Sequence, residues 1–107
     1  MKKLTTAIAA CFVLTGNVFA ANTGPATISE LVVNDVGAHV KLATGNGNPD
    51  NCANPSIHSL VIPSTRSGYK GILSTLILAY STNRSVNIYT LGCVGSQNEI
   101  DGVVLLP

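Results

Sequence analysis

The sequence predicts an all-β domain with one helix, in the element order β-β-β-α-β-β. Three observations carry this expectation. Five short stretches, 27–33, 38–43, 57–62, 85–91 and 100–106, are rich in β-branched residues or alternate apolar with polar. Between Tyr69 and Tyr80 the hydrophobic period changes to that of a helix. Turn-forming residues fill the junctions.

Residues 21–26 contain Gly24 and Pro25 and read as a loose start. Thr27 to Val33 reads as the first strand, Asn34-Asp35 as a turn, and Ala38 to Ala43 as the second strand. In that strand Ala38, Val40 and Leu42 form the buried face and His39 and Lys41 the wet one; the two strands are spaced for a hairpin. Thr44 to Ser56 reads as a solvated loop, since Gly45 to Asn51 is almost wholly turn-forming. It holds Asp50 and several asparagines but lacks the spaced acids and closing glutamate of a calcium loop. Ile57 to Ile62 is the third strand, stopped by Pro63. His58, like His39, reads as an exposed or hydrogen-bonded side chain rather than a metal ligand.

A helix is expected from about Gly68 to Thr82, with Ser67 as N-cap and Asn83 as the left-handed terminator. Its stripe of Tyr69, Ile72, Leu73, Leu76, Ile77 and Tyr80 is expected to pack on the sheet, the tyrosines serving the core rather than a ligand. Ser85 to Leu91 alternates, with Val86, Ile88 and Thr90 on one side. Val94 to Glu99 reads as a polar turn region and Ile100 to Leu106 as the fifth strand. Three strands, a helix and two strands is the order of the OB-fold, a five-stranded partly open barrel. The alternative is a flat α+β sheet with the helix packed on one face.

The N-terminus has the three parts of a secretory signal peptide over residues 1–20: Lys2 and Lys3, an uncharged apolar run from Leu4 to Leu14, and small residues in Val18-Phe19-Ala20. Cleavage is expected between Ala20 and Ala21, leaving one small domain over 21–107 in the periplasm or outside the cell. The apolar run is too short for a membrane anchor, which needs about 20 residues. Lipid attachment at Cys11 would leave too short an apolar run before it.

Removing residues 1–20 takes away two lysines and no acid. Lys41, Arg66, Lys70 and Arg84 then face Glu30, Asp35, Asp50, Glu99 and Asp101, so the formal charge falls from +1 to −1. A chain of this charge, without tryptophan, lacks the basic groove and stacking aromatics of a nucleic-acid binder. It has no nucleophile motif, and no catalytic residue, cofactor or metal site is expected. Without Cys11, Cys52 and Cys93 remain, and an exported protein pairs them in a disulfide. The spacing is not that of a redox pair, and His39 and His58 are the only further soft ligands for a metal.

The segment Ala79-Tyr80-Ser81-Thr82-Asn83-Arg84-Ser85-Val86-Asn87-Ile88-Tyr89 resembles the helix-end-to-strand segment of the subtilase-cytotoxin and pertussis-like toxin B subunits. The wider layout over 28–106 is similar too, with a cysteine before the third strand and a Gly-Cys pair, Gly92-Cys93, closing the fourth. The resemblance implies an OB-fold and an exported, non-enzymatic binding protein, glycan-binding and homo-oligomeric. None of that family's glycan-binding residues matches a position here. The alternative reading is an exported inhibitor or accessory protein acting through protein contacts.

Overall fold

A computed structural model describes residues 21–53, 55, 56 and 59–107. The signal peptide, Cys11, Ala20 and His58 lie outside the described residues. The chain forms β1 (Ala21–Ala26), β2 (Ile28–Asn34), β3 (Gly37–Leu42), β4 (Leu60–Pro63), α1 (Tyr69–Thr82), β5 (Val86–Val94) and β6 (Gln97–Leu105). The strands make one mixed sheet in the order β1-β5-β6-β4-β3-β2. All neighbours are antiparallel except β4 and β6, which run parallel with Leu60 opposite Asn98 and Val61 opposite Glu99. The architecture is thus a mostly β sheet with one helix.

The sheet has six strands rather than five, because residues 21–26 are a strand and not a loose start. Ala21 pairs with Thr90 and Ala26 with Val86, with a register shift between Asn22 and Pro25. Gly24 takes φ 74° in this shift, and its N–H donates to Asn22 Oδ1 at 3.0 Å. A glycine and a proline read as breakers in isolation, but an edge strand tolerates both at a bulge. As hydrogen-bonded, the sheet is open, with β1 and β2 as its edges. Those edges are consecutive in the chain, separated by Thr27 alone.

The β2–β3 hairpin forms as expected. Asn34 Oδ1 accepts the N–H groups of Val36 at 3.0 Å and Gly37 at 3.1 Å, which fixes the two-residue turn. Gly37 then lies against β4, where a Cβ would come 2.3 Å from the Ile62 carbonyl oxygen; only glycine permits this approach. Val86, Ile88 and Thr90 of β5 point inward, matching their alternation. The turn between β5 and β6 is narrower than expected, because Val94 ends one strand and Gln97 already begins the next.

The helix differs from expectation at its start. Its N-cap is Gly68, at φ 83°, with no side-chain cap, so Ser67 does not cap it. Its end is as read: Asn83 is left-handed at φ 55°, and the Arg84 N–H donates to the Ala79 carbonyl at 3.0 Å. The buried face centres on Leu76 and Ala79, with Tyr69, Ile72 and Leu73 packed at its margin. Ile77 and Tyr80 are about half exposed, at 48% and 47%. With about 100° per residue, a face centred between Leu76 and Ala79 turns Ile77 toward solvent and leaves Tyr80 on the flank. The helix packs against β2 and β6, and its Leu76 joins Val40, Leu42, Leu60, Ile62, Val86, Ile88 and Ile100 in a single core.

Candidate binding surface

The disulfide between Cys52 and Cys93 is present, with Cα atoms 5.9 Å apart. It ties the 44–56 loop to the end of β5. Such a bond fits an oxidising environment. The loop itself is anchored more firmly than its composition suggests. Asn46 is buried; its Oδ1 accepts the Leu42 N–H at 2.7 Å and its Nδ2 donates to the Val40 carbonyl at 2.8 Å. Asn48 exchanges hydrogen bonds with both backbone groups of Cys52, at 2.8 and 2.7 Å.

Asn98 of β6, with 0% exposure, joins these elements. Its Oδ1 accepts the Asp50 N–H at 2.8 Å, its Nδ2 donates to Asn48 Oδ1 at 3.0 Å, and its own N–H donates to the Ser59 carbonyl at 2.6 Å. The same asparagines that mark a loop therefore hold it to the sheet. Buried amides must find such partners, since each one left unmet costs about 1–3 kcal/mol.

The disulfide-bearing β5–β6 hairpin and the β2–β3 turn flank a groove on the outer face of the sheet. The groove has a volume of about 270 Å³, with Val36 at one side, Val94 and Gln97 at the other, and His39, Val61 and Pro63 as its floor. A second depression, about 370 Å³, continues it past His39 and Gln97 to Val32, Asn34 and Ser56. Val36 is 66% exposed although apolar and at a turn tip. Among the described residues, His39 is the only titratable group in either lining, and neither lining contains Phe, Tyr or Trp.

Close to the groove, the two acids of β6 share one arginine. Glu99 stands opposite Val61 in the sheet, and Arg66 pairs with Glu99 at 2.6 Å and with Asp101 on its other nitrogen. One guanidinium thus holds two carboxylates, and also ties the segment before α1 to β6.

Of the residues singled out in the sequence, Cys52 and Cys93 come together, and His39 lies on the outer face where it lines the groove. The two tyrosines separate, Tyr69 against the core and Tyr80 outward. Among the described residues, no group of three or more His, Cys, Asp or Glu could hold a metal ion. No helix among them is long and apolar enough to cross a membrane. Val36, Val94 and Asn98 escaped sequence reasoning; the one local signal was a valine, Val36, in an otherwise polar turn.

No family model, curated protein or solved structure matches the chain.

Proposed function

We propose that this is an exported, non-enzymatic binding module that engages a protein partner through the groove between the β2–β3 turn and the β5–β6 hairpin. The observation that carries the reading is the exposed valine pair Val36 and Val94, held on either side of a floor of His39, Val61 and Pro63. A soluble domain that keeps such side chains at two turns exposes them for contact. The valines and proline that the described lining presents suit contact with a protein surface.

The strand order supports an OB-like reading, while the likeness to toxin B subunits rests on the segment from Ala79 to Tyr89 and the wider sequence layout over 28–106. The strands other than β1 follow the OB order, with α1 between β4 and β5. β1 and β2 read as one long bent strand that pairs with β5 at its start and with β3 at its end. In OB-folds, ligands lie on the face of the second and third strands, between the first hairpin turn and the last. The groove occupies the corresponding position. A homo-oligomer, as in those toxins, remains compatible with the apolar outer side of α1.

Intact mass of the exported protein should match residues 21–107, and a full-length product would contradict cleavage after Ala20. Affinity capture from the native host compartment should recover a partner with the wild type that is lost with Val36→Asp or Val94→Asp, both folded by circular dichroism. Equal recovery by all three proteins would refute the groove. Selective retention of glycans on an array would return the reading to a sugar ligand.

A further inference from the structure

We infer that Asn46-Gly47 is a covalent modification site that the fold keeps closed. When the 44–56 loop leaves β3, Asn46 deamidates to aspartate or isoaspartate, and the product then prevents the loop from returning. Of the asparagines in the chain, Asn46 alone is followed by glycine. The backbone nitrogen after an asparagine, once base removes its proton, attacks the side-chain carbonyl carbon. The new N–C bond closes a succinimide ring, the side-chain nitrogen leaves as ammonia, and water opens the ring at either carbonyl. The sum is amide plus water giving acid plus ammonia, with no oxidation or reduction. Glycine supplies the least hindered nitrogen because it has no side chain. Asn48, the other asparagine that anchors this loop, precedes Pro49, whose nitrogen has no proton to lose. The two anchors of one loop therefore differ in chemistry.

The structure separates the reacting groups by environment. Gly47 is exposed, and no heavy atom lies within 4 Å of where a Cβ would stand. Asn46 is only 8% exposed. The pairing of β3 with β4 ends at Val40 and Leu60, and the Asn46 amide takes the place of a strand beyond it. Its Oδ1 accepts the Leu42 N–H and its Nδ2 donates to the Val40 carbonyl. Ring closure expels Nδ2 and re-aims the carbonyl, so it cannot run while both bonds hold. The reaction therefore samples only molecules in which the loop has opened locally.

The product does not fit the site it came from. In aspartate an oxygen replaces the Nδ2 donor, so acceptor faces acceptor at the Val40 carbonyl, and burial disfavours the new charge. Lys41 lines the same surface depression as Asn46 and draws the carboxylate outward, off β3. In isoaspartate the backbone runs through the former side chain and gains a methylene, so no side chain reaches back to β3. Either way the Leu42 N–H and the Val40 carbonyl lose their partner.

The test ages the mature, oxidised protein in mildly alkaline buffer, folded and in urea, and follows Asn46 by peptide mass and isoaspartate content. The folded protein should convert at least about tenfold more slowly than the unfolded chain. The acidic form from the urea-aged chain, returned to native buffer, should melt at least about 4 °C below the unmodified protein, with faster amide exchange at Leu42, or fail to refold. Chain unfolded without ageing should regain the full melting temperature. Asn46→Asp isolates this position from the other asparagines and should melt low in the same way or fail to fold. Equal conversion rates in the folded and unfolded protein would overturn the shielding. An Asn46→Asp protein that melts with the wild type would overturn the claim that the product bars the loop's return.

Discussion

Replacing Cys52 and Cys93 together, as Cys52→Ala with Cys93→Ser, tests what holds the long loop. The bond closes 41 residues of separation and contains β4, α1 and most of β5. On the chain-entropy account, opening a loop of that length restores freedom to the unfolded chain worth about 4 kcal/mol. For a domain of this size that is a large share of the total stability, and it lowers the melting temperature by roughly 15–30 °C. The assay is a reversible thermal melt of the oxidised protein, the reduced protein and the double variant, after free-thiol counting confirms the bond in the first. Limited proteolysis alongside should cut first within 44–56 in the variant. A loss below about 1 kcal/mol would refute the reasoning. It would mean that Asn48 and Asn98 keep the unbridged loop in place and that the unfolded chain is already compact.

Three other perturbations follow from the same geometry. Gly37→Ala forces a Cβ against the Ile62 carbonyl and should cost about 3 kcal/mol by denaturant titration, because backbone must move. Asn98→Ala strands the Asp50 N–H and removes a partner from Asn48; we expect a loss of about 3 kcal/mol, with faster amide exchange at Asp50. Arg66→Met leaves Glu99 and Asp101 side by side and should lower stability by about 1 kcal/mol at low salt, an effect that added salt reduces.

The elements that the sequence made legible are those whose local pattern and tertiary environment agree. Val86, Ile88 and Thr90 alternate because one side of β5 is core, and Asn83 ends the helix because asparagine tolerates a left-handed backbone. The cysteines were legible through compartment and elimination. Residues 21–26 were not, because Gly24 and Pro25 signal a break locally while β5 supplies pairing from the far end of the chain. Ser67 was misread as the cap because the left-handed Gly68 shortens the helix by one residue. Asn98 was hidden for a related reason: its neighbours mark a turn, whereas its burial depends on a loop folding over it from fifty residues away. The groove was least legible, since Val36, His39, Val61 and Val94 sit on four different elements and share no motif.

The pairing of β1 with β5 also sets an order of events. Ala21 cannot meet Thr90 until nearly the whole chain has been synthesised, and β4 cannot pair with β6 until later still. Contacts this distant make folding slow, because loop closure must precede any reward. A growing chain therefore cannot complete the sheet for as long as β5 is missing. Nascent chains arrested before Val86 should be fully digestible by protease, whereas released full-length chains acquire resistance only after the last two strands have joined the sheet.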